Sequence, residues 1–160
     1  MLLQHGWLRK HLLLGLVSSA TSGTEDICRA ARSAFVSFMQ LLERDNRKEL
    51  MQATSDIILG QLETSEAQDD RVVVPLLDFL CFMMDQGLFS SELIMEPGQY
   101  TWDIWVIMRK VHDSSSSLQR IEASMNLYSR LLGNDKCRAP AADKLTRQLL
   151  HRWPKVVPTP

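Results

Sequence analysis

The stretch SGTEDICRAARSAFVSFMQLL, residues 22–42, decides the fold class of this chain. Ser22 and Glu25 have the spacing of a capping box, and acidic residues occupy the first turn of the predicted helix. Apolar side chains then recur at helical intervals to the end of the stretch. A second apolar helical pattern follows the polar residues 44–47. Residues 22–62 are therefore predicted to form one antiparallel helical hairpin.

Hairpins of this kind begin three times, at Thr24, Asp70 and Ser117. The offsets of 46 and 47 residues fall within the range of about 40–47 residues typical of HEAT and armadillo units. One such hairpin is too thin to bury its own apolar face, so neighbouring hairpins must stack into a shared core. The sequence thus predicts an all-α, HEAT/armadillo-like solenoid of about three antiparallel helical hairpins plus an N-terminal helix. Solenoids of this class usually hold another protein.

The first 20 residues admit two interpretations. They combine an apolar run with a basic pair, as a secretory signal does, but the run at 12–17 is short and the basic pair does not lead the chain. An amphipathic helix of the solenoid is preferred, and a signal or transit peptide is the alternative. The helical domain is predicted to span residues 1–155, followed by an irregular Pro-containing tail at 156–160. No run approaches the ~20 apolar residues that span a bilayer.

Two other segments leave an alternative open. Residues 72–74 are valines that would suit a strand, but the apolar pattern around them continues too far without a turn signal, which favours a helix. The serines at 114–117 could form a phosphorylation cluster, whereas Ser116 and Gln119 have the spacing of a helix cap, which is preferred. Gly87 is a predicted helix stop. The side chains predicted to be buried include Phe35, Phe38, Ile58, Leu77, Leu80, Leu131 and Leu149.

Composition and charge narrow the class of protein. With 45% hydrophobic and 23% charged residues, the chain has the composition of a folded globular protein. Its net charge of −1 is unevenly distributed, because residues 43–103 carry 4 basic and 13 acidic residues while residues 117–160 carry 8 basic and 3 acidic ones. Such a charge distribution would orient a charged partner. The simpler explanation is that these charges lie on the solvated outer faces of helices. The three distant cysteines indicate reduced thiols in a reducing compartment.

Motifs for catalysis, metal binding and nucleic-acid binding are missing from the sequence. The four histidines and three cysteines show no metal-ligand spacing, so no metal ion or cofactor is predicted. Nor does the chain contain a nucleophile elbow, a phosphate loop or a dinucleotide-binding fingerprint. The basic residues near the C-terminus lack interleaved aromatics, which argues against nucleic-acid binding. The sequence therefore predicts a helical interaction module, and an enzyme with distant catalytic residues is the poorer alternative.

Five short stretches show a known pattern when they are taken in order. LGLVSSATSGTEDI at 14–27 and RSAFVSF at 32–38 match a glycine- and serine-containing segment with a Thr-Glu helix start. RVVVPLL at 71–77 is followed by GLF at 87–89, and LLHRWPK lies at 149–155. Together these stretches resemble the C-terminal domain of the tubulin-folding cofactor D family. Members of that family are many times longer, so the resemblance covers one late portion of a large HEAT-like solenoid, and the last five residues depart from the family pattern.

The resemblance implies a role in tubulin folding after the chaperonin step. Family members capture β-tubulin and join α-tubulin and other tubulin-folding cofactors in an assembly that stimulates GTP hydrolysis by tubulin. They also associate with a small Arf-like GTPase. The chain is thus expected to be a cytoplasmic, microtubule-associated interaction segment with at most a GTPase-activating role in a larger assembly, without membrane insertion. A HEAT-type scaffold or transport adaptor unrelated to tubulin is the alternative.

Basic residues near the end of the chain are the expected contact with so acidic a client as tubulin, because complementary charge speeds and orients encounter. The candidate partner-binding residues are Arg138, Lys144, Arg147, Arg152 and Lys155. No catalytic, cofactor-binding or metal-binding residue is predicted.

Overall fold

The computed structural model of the protein describes residues 6–65, 69–89, 97–111 and 117–150, and this part of the chain is built of α-helices. The helices are α1 (Gly6–Ala20), α2 (Glu25–Leu41), α3 (Arg44–Thr64), α4 (Asp70–Asp85), α5 (Pro97–Val111), α6 (Leu118–Leu131) and α7 (Asp135–Leu149). Within these ranges no strand occurs, and residues 72–74 lie inside α4, which confirms the helical interpretation.

The helices are arranged in two layers. In one layer α1, α3, α5 and α7 pack successively against one another, and in the other α4 packs against α6. Helix α2 joins the second layer, because the ring of its Phe35 meets the ring of Phe79 on α4 edge to face, with centroids 5.8 Å apart. Contacts of α1 with α2, α3 with α4 and α6 with α7 connect the layers. The described helices, packed in two layers, confirm the predicted all-α, HEAT-like solenoid.

The predicted starts of the three hairpins coincide with helix starts. Thr24 directly precedes α2, Asp70 is the first residue of α4, and Ser117 is the N-cap of α6. The Oγ of Ser117 accepts a hydrogen bond from the backbone N–H of Arg120, at 3.5 Å. The predicted cap at Ser116 is wrong, because Ser117 occupies the N-cap position one residue later; Ser116 itself lies outside the described residues. Gly87 follows the end of α4 with φ of 69°, a conformation that glycine adopts at little cost, so the predicted stop is confirmed.

The predicted capping box at Ser22 and Glu25 is wrong. Helix α2 has Thr24 as its N-cap, with no hydrogen bond from a capping side chain. The Oγ of Ser22 instead accepts a hydrogen bond from the backbone N–H of Thr24, at 3.2 Å. Ser22 is therefore used in the turn between α1 and α2, because it lies two residues before the N-cap position from which a side chain reaches the first free amides.

Most of the predicted core is confirmed. The buried members are Phe35, Ile58, Leu77, Leu80 and Leu131. The prediction is wrong for Phe38 and Leu149, which are 40% and 50% exposed. Helix α2 buries Ala31, Phe35 and Met39 at intervals of four, and Phe38 lies about 100° around the helix from Met39, towards the outside. Leu149 is the last residue of α7, at the end of its layer as far as the chain is described.

Two ion pairs connect α4 to α6. The Nε of Arg120 donates to Oδ1 of Asp70 at 2.6 Å, and the arginine side chain is fully buried. Nearer the other end of both helices, Arg130 donates from Nε and Nη2 to the two carboxylate oxygens of Asp85, at 2.8 and 2.6 Å. This hydrogen bonding lowers the pKa of the half-exposed Asp85. The two ion pairs, one near each end of α4, thus fix the position of α6 along α4.

We predict that replacing Leu131 by Ala lowers the free energy of unfolding by about 2–5 kcal/mol, because Leu131 is 1% exposed and its truncation leaves a cavity. Leu41→Ala is the matched control, since Leu41 is 83% exposed and the same truncation there should change stability by less than about 0.5 kcal/mol. Equal effects of the two variants in urea denaturation would contradict the packing described.

We also predict that Asp70→Ala lowers the free energy of unfolding by about 3–5 kcal/mol, because the buried guanidinium of Arg120 loses its carboxylate. Asp85→Ala removes the corresponding carboxylate at the exposed end and should cost about 0–1 kcal/mol. Denaturation of both variants under the same conditions gives the comparison. A larger loss for Asp85→Ala would show that the exposed pair, and not the buried one, holds α4 to α6.

Candidate protein-interaction surfaces

Helix α7 carries the described members of the predicted cationic site. The helix begins at Asp135, because Oδ1 of Asn134 accepts a hydrogen bond from the backbone N–H of Lys136 at 3.0 Å and caps it. Three of the predicted contact residues lie on α7, namely Arg138, Lys144 and Arg147. Arg152 and Lys155 lie outside the described residues.

The cations of α7 do not form one continuous face. Arg138 and Arg147 are nine residues apart, which places them on roughly opposite sides of a helix with about 3.6 residues per turn. Each also has a local partner, since Arg138 pairs with Asp135 at 2.8 Å and Arg147 pairs with Asp143 at 3.0 Å. Both arginines are exposed, so a partner could compete for them, but part of their charge is already balanced within the helix.

A groove of about 580 Å³ runs between α2 and the C-terminal half of α4. On the α2 side it is lined by Arg32, Ser33 and Val36, and on the α4 side by Phe82 and Gln86. Its volume lies in the range of about 300–1,000 Å³ that is usual for binding sites. The sequence alone does not reveal this groove, because its two walls are about 50 residues apart in the chain and meet only through packing of the helices.

Arg32 of the groove is held by contacts with both α1 and α4. Its Nε donates a hydrogen bond to the carbonyl oxygen of Ala20, at the end of α1, over 3.0 Å. Its Cζ lies 5.8 Å from the ring centroid of Phe79 and 5.6 Å from that of Phe82, distances at which a guanidinium is attracted to an aromatic face. A signal was present in the sequence, since Arg32 is the one charged residue of residues 30–42.

The aromatic surface under Arg32 is part of the core. Phe79 is fully buried, meets Phe35 edge to face, and stacks with Phe82 at a centroid distance of 6.2 Å. These ring contacts leave Phe79 little freedom to move. The position of the Arg32 guanidinium is therefore set by α1 and α4 together.

Asp78 of α4 is an exposed carboxylate between two cations. Burial of part of its surface raises its pKa, and the positive charges of Arg32 and Arg130 oppose that rise without cancelling it. Among the described residues, no ion pair joins Asp78 to either arginine. The ionised form of Asp78 is thus less favourable in the folded protein than in the unfolded chain.

The outer face of α2 carries no charge over its second half. Residues 33–42 contain no charged side chain, and the large exposed apolar side chains of α2 are Ile27, Phe38 and Leu41. Interfaces between proteins are depleted of charge in the same way.

In the described part of the chain, no group of three or more His, Cys, Asp or Glu side chains is placed to hold a metal ion. Across the same residues, no helix combines the length and apolarity needed to cross a membrane. The cysteines at positions 28, 81 and 137 are free thiols, and burial raises the pKa of Cys81 to about 11.

The fold and these surfaces define an α-solenoid segment of the kind that binds other proteins. A family model described as tubulin folding cofactor D C terminal matches residues 1–120 of the 160. The chain belongs to that family. Comparison with curated proteins and with solved structures gives no match.

The matched region confirms the resemblance seen in the sequence and shows where it lies. The stretches at 14–27, 32–38, 71–77 and 87–89 fall inside it, whereas the stretch at 149–155 lies beyond it. The groove between α2 and α4 is within the matched region. The cations of α7 are outside it.

We predict that Asp78→Asn raises the melting temperature at neutral pH. Because the pKa of Asp78 is raised in the folded state, its ionisation costs stability, and the cost is complete once the pH exceeds the folded pKa. The gain in the variant should shrink as the pH falls towards the ordinary value of 3.8, where the wild-type carboxyl is increasingly protonated in both states. Melting curves from neutral to acidic pH test this. A gain that grows towards acid would contradict the sign.

Proposed function

We propose that this chain is a protein-interaction segment of a tubulin-folding chaperone, which binds β-tubulin and supports assembly of the α/β-tubulin dimer. The family match over residues 1–120 carries the proposal. A two-layer helical solenoid supports it, because folds of this class present extended surfaces to other proteins. The partners proposed with tubulin are other tubulin-folding cofactors and a small Arf-like GTPase, and the proposed location is cytoplasmic and microtubule-associated.

The part proposed for the segment in GTP hydrolysis is indirect. Tubulin supplies the nucleotide and the reacting groups, and the solenoid would favour one arrangement of the bound subunits within the larger assembly. A binding protein changes such an equilibrium only by contacting one arrangement more strongly than another. The segment would therefore act as an activator and not as the enzyme.

The basic C-terminal region is the proposed contact for tubulin. Arg147 is 73% exposed at its side chain and could exchange its pairing with Asp143 for a carboxylate of the client. Individual exposed ion pairs are worth only about 0–1 kcal/mol, so the proposed effect is on the rate and orientation of encounter. Arg138, Lys144, Arg152 and Lys155 complete the proposed set.

Association with purified tubulin tests the proposal. We expect the wild-type chain to bind, with an association rate that falls as salt rises. Replacing Arg147, Arg152 and Lys155 together by Glu should slow association about tenfold or more at low salt, because attraction becomes repulsion. Stopped-flow or surface-based kinetics give the rates, and circular dichroism checks that the variant is folded.

The control for that variant has the same change in net charge elsewhere. Arg44, Arg71 and Lys110 are exposed, and replacing all three by Glu should slow association much less. Equal slowing by both variants would assign the effect to overall charge and remove the basic region from the proposal. A wild-type chain that does not bind tubulin would favour the alternative of a scaffold or transport adaptor with the same fold.

A further inference from the structure

Arg32 has its stem fixed and its outer edge open. Hydrogen bonding of Nε to Ala20 and contact with Phe79 and Phe82 hold the guanidinium from two sides. Among the described residues, no acceptor binds its Nη1 or Nη2 atom. Arg32, which carries these two nitrogens, lines the groove between α2 and α4. Four N–H donors are therefore available at a fixed place beside an open volume.

Such an arginine matches one kind of ligand group. The planar fork of a guanidinium fits a carboxylate with two parallel hydrogen bonds. A side chain that is already immobilised loses less entropy when it binds, which favours recognition at this position over recognition by a freely moving surface arginine. Val36 and Phe82 add apolar surface next to the fork.

The geometry points to the groove between α2 and α4 as a docking site for an acidic peptide segment of a partner protein. One Asp or Glu carboxylate of that segment binds to Nη1 and Nη2 of Arg32, and a neighbouring apolar side chain packs against Val36 and Phe82. This inference goes beyond the proposed function, because it concerns a different surface from the C-terminal cations and does not depend on which protein carries the segment.

Charge complementarity favours a single carboxylate over a polyanion. The other arginine of the groove, Arg29, already pairs with Glu25 at 3.4 Å and with Asp26 at 3.0 Å. Arg32 is thus the one cation of the groove without a carboxylate partner among the described residues. A phosphate chain or a nucleic acid would need several such cations.

Asp78 gives the proposal an internal check. Its negative charge lies near enough to Arg32 for the two to interact, although no ion pair joins them. An incoming carboxylate would be repelled by ionised Asp78. Removing that charge should therefore strengthen peptide binding while the contacts of Arg32 with α1 and α4 stay in place.

The test uses the full chain and two peptides labelled at the N-terminus and amidated at the C-terminus, Gly-Glu-Leu-Glu-Gly and its uncharged counterpart Gly-Gln-Leu-Gln-Gly. We expect the wild-type protein to bind the Glu peptide at least about tenfold more tightly in fluorescence anisotropy, in keeping with a charge-assisted bidentate contact. Arg32→Gln should abolish the preference. Arg44→Gln removes one positive charge from an exposed site outside the groove and should preserve it within about threefold.

Two further variants separate binding from folding. Arg32→Lys keeps the charge without the fork and should lose most of the preference, with the fold checked by circular dichroism. Asp78→Asn should tighten binding of the Glu peptide about threefold or more, a gain that unfolding cannot produce. Equal loss in Arg32→Gln and Arg44→Gln, no preference for the Glu peptide in the folded wild type, or unchanged binding in Asp78→Asn would each overturn the inference. No tubulin is present in this assay, so its result is independent of the proposed function.

Discussion

The buried ion pair between Arg120 and Asp70 constrains how α4 and α6 lie against each other in their layer of the solenoid. A guanidinium without water is costly unless a carboxylate compensates it, so the third residue of α6 must meet the first residue of α4. The two helices then run in the same direction, and α5, which connects them in the chain, has to return in the layer of α1, α3 and α7. Arg130 and Asp85 repeat the arrangement near the other end, so α6 has little freedom to slide along α4. The pair acts mainly on register, because buried ion pairs add little net stability.

A second arginine, Arg32, contacts the other side of α4. Arg120 is fully buried and pairs with Asp70 of the neighbouring helix, whereas Arg32 is half-buried and stacks on the rings of Phe79 and Phe82 with its outer edge open. Both side chains join adjacent helices of one layer. The difference lies in what surrounds the nitrogens, and only Arg32 borders a groove. Packing of the same helix thus supplies a structural contact on one side and a candidate binding contact on the other.

The region matched by the family model contains one of the two candidate interaction surfaces and not the other. The match ends at residue 120, so it includes α1 to α5 and only the start of α6. The proposed tubulin contacts on α7 lie after that point, and two of the arginines there are paired with aspartates of their own helix. The groove with Arg32 lies inside the matched region. A solenoid can carry separate contacts in this way because each repeat packs only with its neighbours and exposes its own outer surface.

The sequence determined the helices, and tertiary contacts decided which of their faces matter. Apolar side chains at helical spacing predicted the hairpins starting at Thr24, Asp70 and Ser117, because periodicity and helix ends depend on residues a few positions apart. The same pattern could not distinguish Phe35, which is buried, from Phe38, which is 40% exposed, since both fit an apolar stripe and the neighbouring helix selects one. Nor could it show that Arg32 meets α4. Those outcomes depend on residues about 50 positions away and on the angular position of each helix, and only packing between layers sets them.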